Sequence, residues 1–184
     1  GRFASTLVAL GNAGASTETE ILEMAQRIAG AGSVVGLSQG QVLGFASALS
    51  SVGINAEAGG TAISKVFIEL AGAVSQGGKP LEDFAKVAGM SSAQFQKAFK
   101  DDAASATTTF IEGLGQIKAK GGDLFGTLEQ LGIEEIRMRD ALLRTAGAGA
   151  LVRESLSLQD TAWRANTALT VEAGKRFETT ASQL

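Results

Sequence analysis

At three expected helix ends a glycine is followed by a large apolar residue and then a polar one that starts the next helix: Gly53-Ile54-Asn55, Gly89-Met90-Ser91 and Gly132-Ile133-Glu134. This is the order a tight helix–helix joint requires. Glycine takes the left-handed backbone that ends one helix, the apolar residue folds back on the helix just left, and the polar residue opens the next. Residues able to receive the apolar side chain stand at the right offsets: Leu49 for Ile54, Phe84 or Ala85 for Met90, and Leu128 for Ile133. The joints lie 36 and 43 residues apart, which suits one helix pair per unit without the tighter period of a regular solenoid.

Between the joints the apolar residues recur at helical spacing, and no run alternates as a strand would. The first helix is expected over Arg2 to Ala13, with Phe3, Leu7 and Leu10 on one stripe. A second begins at the capping-box pattern Thr17 to Glu20 and runs to the glycines at 30 and 32. A third follows the box Ser38 to Gln41, a fourth covers about Thr61 to Gln76, and Lys79-Pro80 opens a fifth. The box Ser91 to Gln94 starts a sixth, followed by helical stretches near 103–119, 123–131 and 134–147 and a long one from about 150 onward. Glu23/Arg27, Glu82/Lys86 and Glu135/Arg139 have the favourable order for side-chain pairs, each worth about 0.2–0.5 kcal/mol.

The fold class is therefore all-α, a multi-helix array of short helical hairpins with glycine-terminated helices. Residues 1–149 form the helical region. Residues 150–184 are expected to form a longer C-terminal helix leading into the rest of a larger protein. That helix carries a stripe of mostly small apolar residues at Leu158, Ala162, Ala165, Leu169, Ala173, Phe177, Ala181 and Leu184, suited to close packing against another helix. The opening residues show no signal-peptide pattern.

Composition narrows the function. The sequence has no His and no Cys, which removes imidazole bases, thiolate nucleophiles, the usual metal ligands and disulfides. No catalytic, cofactor-binding or metal-binding residue is identified, and no enzyme activity is expected. The net charge of −3 offers none of the basic excess that phosphate neutralisation demands, so no sequence-specific nucleic-acid binding is expected. Arg137, Arg139, Arg144 and Arg153 are answered by Glu134, Glu135, Asp140 and Glu154. Gly72 to Lys79 lacks the spacing and the preceding strand of a phosphate loop. Asp101/Asp102 and Glu134/Glu135 diverge on a helix by roughly 100° and read as helix starts or solvated faces.

Residues 28–56 hold no charge at all, and within them Gly32, Gly36, Gly40 and Gly44 recur every fourth position, with Ala48 continuing the row. On a single helix these would make the smooth groove of membrane helix pairs. The favoured reading is that Gly30, Gly32 and Gly36 belong to a loop while Gly40 and Gly44 let a soluble helix pack tightly. The segment remains the candidate for membrane activity.

The block Val52-Gly53-Ile54-Asn55-Ala56-Glu57-Ala58-Gly59-Gly60-Thr61-Ala62-Ile63-Ser64-Lys65-Val66-Phe67 resembles the core region of tail tape measure proteins of long-tailed bacteriophages. So do the helix Gln41 to Leu49 before it, Phe84 to Ser91 and Phe95 to Leu114 after it, and Leu131 to Leu143. The resemblance spans roughly residues 1–150, and Gly53, Ile54, Asn55, Ala56, Glu57, Gly59, Gly60 and Thr61 are the motif positions. It implies a structural virion protein in the tail lumen or tail tip, assembled in the host cytoplasm. It also implies a homo-oligomer that contacts tail tube and tail tip proteins, sets tail length, and takes part in genome ejection, meeting the host membrane as it does so. The competing reading is a soluble α-helical interaction module of a toxin or secreted protein, without catalysis.

Overall fold

The computed structural model describes residues 1–166 and 168–183, and the side chains at 168–170, 177, 180, 181 and 183 lie outside that description. Nearly all the described residues are helical, with no strand among them. In order it forms α1 (Arg2–Ala13), α2 (Glu18–Val35), α3 (Gln39–Ser51), α4 (Ala56–Gln76), α5 (Gly78–Val87) and α6 (Ser92–Asp101). There follow α7 (Ala103–Ala119), α8 (Leu124–Gln130), α9 (Ile136–Thr145), a 3-10 turn (Ala146–Ala148), α10 (Gly149–Ala165) and α11 (Ala168–Gln183).

All three capping boxes form. Thr17, Ser38 and Ser91 each accept the backbone N–H three residues on, and Glu20, Gln41 and Gln94 each accept the cap residue's own N–H in return. The three glycine joints form as well. Gly53, Gly89 and Gly132 sit at φ 77°, 72° and 76°. Ile54, Met90 and Ile133 donate their N–H back to the carbonyls of Leu49, Ala85 and Leu128 at 3.2, 2.9 and 3.0 Å. That six-to-one bond is the mark of the Schellman end.

The helices surround α3. It packs against α1, α2 and α10, while α2 also lies along α4 and α4 carries α5 and α9. The second half is organised around α7, which touches α5, α6, α8, the 3-10 turn and α10. One continuous core runs from Leu10 to Val152. Two of its aromatic pairs meet edge-on: Phe45 with Phe67 at 5.3 Å between ring centres, and Phe84 with Phe110 at 5.4 Å. Because α10 returns to α1 and α3, the array closes on itself. A solenoid, whose units touch only their neighbours, would not do so.

Four expectations are corrected. Helix α2 does not stop at the glycines at 30 and 32 but continues to Val35, so Gly30 and Gly32 are helical and only Gly36, at φ 92°, ends it. Packing overrides the weak helix propensity of glycine here, since Gly32 lies under Val42 and Leu37. Helix α4 starts five residues earlier than expected, at Ala56, because Asn55 caps it. The single long C-terminal helix is two helices, α10 and α11, parted at Asn166, whose φ of 51° is left-handed. Among its stripe residues, the side chains of Leu169, Phe177, Ala181 and Leu184 lie outside the described set. Finally, Glu135 pairs with Lys65 at 2.6 Å, not with Arg139, whose Nε donates to the Ile133 carbonyl at 2.7 Å.

Candidate functional site: the joint between α3 and α4

The motif residues converge on one corner of the fold. Gly53 reverses the chain after α3, and Ile54, 6% exposed, turns back into the core. Asn55 then caps α4. Its Oδ1 accepts from the N–H groups of Glu57 at 2.9 Å and Ala58 at 3.2 Å, two donors that a helix start otherwise leaves empty. Ala56 is the first helical residue, and Glu57 places its negative charge in the first turn, beside the positive end of the helix dipole. The Thr61 hydroxyl donates to the Glu57 carbonyl at 2.9 Å.

The two glycines of the block are contact surfaces. A Cβ on Gly59 would overlap the Ile54 side chain, so this glycine is what lets Ile54 fold under the start of α4. A Cβ on Gly60 would stand 2.7 Å from the Arg27 Cβ and 3.3 Å from the Met24 Sδ, so α4 crosses α2 at a distance only glycine allows. Seven of the eight motif positions thus end, start or seat a helix, and Thr61 bonds only within α4. Beside the corner a shallow cleft of about 390 Å³ opens against α9, where Arg137 and Arg144 stand near Asn55 and Ile136 is 81% exposed.

The glycine row divides between two helices. Gly32 and Gly36 belong to the end of α2, Gly40 and Gly44 to α3. A Cβ on Gly40 would overlap the Gln159 amide and come within 3.3 Å of the Trp163 ring, and one on Gly44 would lie 3.1–3.3 Å from Gln159, Leu156 and the Ser155 carbonyl. These glycines therefore bring α10 close to α3, as expected of a tightly packed helix. No described helix is long and apolar enough to cross a membrane.

Several of the polar groups singled out in the sequence are occupied by structure. Asp102 caps α7 through the Ser105 N–H at 3.0 Å, Asp101 pairs with Lys97 at 2.6 Å, and Glu135 is the residue before α9. Arg144 pairs with Asp140, and Arg153 pairs with Glu112 while reaching the Thr109 hydroxyl at 3.3 Å. Arg139 lies over the Phe125 ring at 4.4 Å. The hydrogen bonds to Asp83 and Asp101 hold Lys79 and Lys97 above the ordinary lysine value of 10.5, both on exposed side chains. Among the described residues no three Asp or Glu side chains gather closely enough to hold a metal ion.

No protein-family model, curated protein or solved structure matches the chain.

The sequence reading missed a fourth joint of the same kind. Gly36-Leu37-Ser38 has the glycine, apolar, polar order, and Leu37 donates its N–H to the Gly32 carbonyl at 2.8 Å. Leu37 is buried at 8% exposure. The signal was present, but the four-residue glycine row drew Gly36 into a different pattern. The reach of α10 to Gly40 and Gly44, some 115 residues away in the chain, carried no sequence signal at all.

Proposed function

We propose that this chain is a structural segment of a bacteriophage tail tape measure protein, without catalysis of its own. The observation that carries the reading is the block from Val52 to Phe67. It resembles that family's core region, and its motif residues serve to build a corner between two helices. A motif whose positions are used up in capping and close packing belongs to an architectural protein better than to one that binds or transforms a small ligand.

On this reading the protein lies in the tail lumen or tail tip, alongside copies of itself and the tube and tip proteins. It sets tail length during assembly and takes part in genome ejection. The segment folds back on itself, its longest helix being the 21 residues of α4, so it acts as a folded station along the protein and not as the extended measuring rod. Its contribution to tail length is accordingly small for its residue count.

The test is an in-frame duplication of these 184 residues within their own reading frame, followed by electron microscopy of the particles. Tails lengthened by far less than the duplicated residues would span as one helix, about 1.5 Å each, support a folded station in a tail protein. Particles whose tails lack the chain, with the chain recovered as a free soluble module, overturn the reading in favour of an interaction module. Leakage of anionic lipid vesicles on addition of the chain would add the membrane step. Its absence would confine the role to assembly.

A further inference from the structure

Four consecutive residues leading into α9, Glu134-Glu135-Ile136-Arg137, are all exposed. Ile136 is 81% exposed, more than any other large apolar side chain described. On either side of it in the chain stands a charge without a counterpart. Neither Glu134 nor Arg137 has an ion pair or hydrogen bond among the described residues, whereas Glu135 is held by Lys65 and Arg144 by Asp140.

A shallow cleft runs along each flank of α9, and the two differ in sign. The cleft of about 390 Å³ beside the α3–α4 joint has Arg137, Arg144 and Asp140 as its charged residues, two positive against one negative. The other, of about 450 Å³, lies against α4 and has Lys65, Glu69, Glu134 and Glu135, one positive against three negative. Ile68, 46% exposed, lines this acidic cleft.

An exposed apolar side chain between a basic and an acidic cleft makes a surface complementary to itself. Turned about a two-fold axis close to Ile136, the acidic cleft of one copy faces the basic cleft of the other, twice over. A purely acidic partner would meet repulsion at Glu69 and Glu134, and a purely basic one at Arg137. We propose that α9 is the contact surface of a two-fold dimer of this chain, with Ile136 at its centre and Glu134 of each copy facing Arg137 of the other. One helix edge and two shallow clefts lie at the low end of what specific interfaces bury, so the dimer is a weak one, formed where the chain is concentrated. The proposal fails separately from the function proposed above, which rests on the block from Val52 to Phe67 and does not require this contact.

Sedimentation equilibrium of the 184-residue chain over a range of concentrations tests it. A monomer–dimer equilibrium is expected at low salt, loosened about tenfold in about 1 M salt, where charges act only within about 3 Å. Ile136→Ser, Arg137→Glu and Glu134→Arg should each weaken the dimer about tenfold or more. Circular dichroism should stay unchanged in all three, because the side chains stand in solvent. The deciding arm mixes the two charge variants. Between an Arg137→Glu chain and a Glu134→Arg chain both cross-contacts again join opposite charges, so the mixture should dimerise where neither variant does alone. A parent chain that stays monomeric throughout overturns the proposal and leaves the patch to a different partner. So does association that survives all three substitutions, which places the contact elsewhere. A particle larger than a dimer, or a mixture that stays monomeric, overturns the two-fold pairing equally.

Discussion

Helices α3 and α11 are built from similar material and meet opposite fates. Both are rich in Ala, Gly, Ser and Thr, and both carry small residues at helical spacing. In α3, nine of thirteen residues are buried, and helices stand on several sides. In α11 none of the described residues is buried, and α1 is its principal neighbour. Within α3 the burial is traceable to what accompanies the small residues. Helix α3 adds Val42, Leu43, Phe45 and Leu49, whose apolar surface drives the burial, while Gly40 and Gly44 merely let α10 come near enough to cover them. Small side chains permit a close contact, and large apolar ones produce it.

The largest test of that contrast is Phe45→Ala. Its ring is 1% exposed and meets Phe67, so the loss should be about 3–5 kcal/mol by urea unfolding. Val171→Ala in α11 should stay within about 0.5 kcal/mol, and an equal loss at both positions would erase the distinction. Next in size is Gly44→Leu, which forces side-chain atoms into α10 and should destabilise by about 1–3 kcal/mol. Its counterpart Gly174→Ala, where a Cβ meets nothing within 4 Å, should instead stabilise by up to about 1 kcal/mol through helix propensity. A smaller effect compares the two helix boundaries. Gly53→Ala, at φ 77°, should lose about 1–2 kcal/mol by thermal unfolding, whereas Asn166→Gly at the end of α10 should lose nothing.

The smallest effect belongs to contacts as exposed as α11 itself. Lys97 on α6 is held above 10.5 by its hydrogen bond to Asp101, so the pair's contribution is present below pH 10.5 and disappears as pH rises through the raised value. Lys97→Met should therefore differ from the parent too little to resolve in melting temperature at neutral pH. Whatever gap exists should close above pH 10.5. A gap that widens in alkali would reverse the sign of the assignment.

What was legible in the sequence was local. Capping boxes at Thr17, Ser38 and Ser91 and the joints at Gly53, Gly89 and Gly132 are closed by hydrogen bonds between residues three to five apart, so residue order contains nearly all their physics. Gly32 inside α2 reads as loop in the sequence because its helical state depends on Val42 and Leu37, which lie in or beside another helix. The bend at Asn166 was missed for the converse reason: the periodicity favours continuation, and the contact with α1 that opposes it is formed by residues 160 apart. At the candidate site, the block's positions were legible as a resemblance, and the roles of Asn55 as cap and Gly59 as seat for Ile54 follow from local geometry. The crossing of Gly60 over Arg27 and Met24 needed the fold.

The joints also decide how this molecule can be read by others. Where a helix ends just before a glycine and the next begins three residues after it, as at Gly53 and Gly89, the connector is only four residues long. Proteins commonly display their recognition groups on loops held out by a rigid scaffold. Here most of the scaffold has no such loops to lend. A partner must therefore recognise the flanks of helices, and a change of partner would be written in exposed side chains such as Ile136, Phe125 and Val34. For the same reason insertions should be poorly tolerated at the corners, where one extra residue would turn the following helix out of its groove.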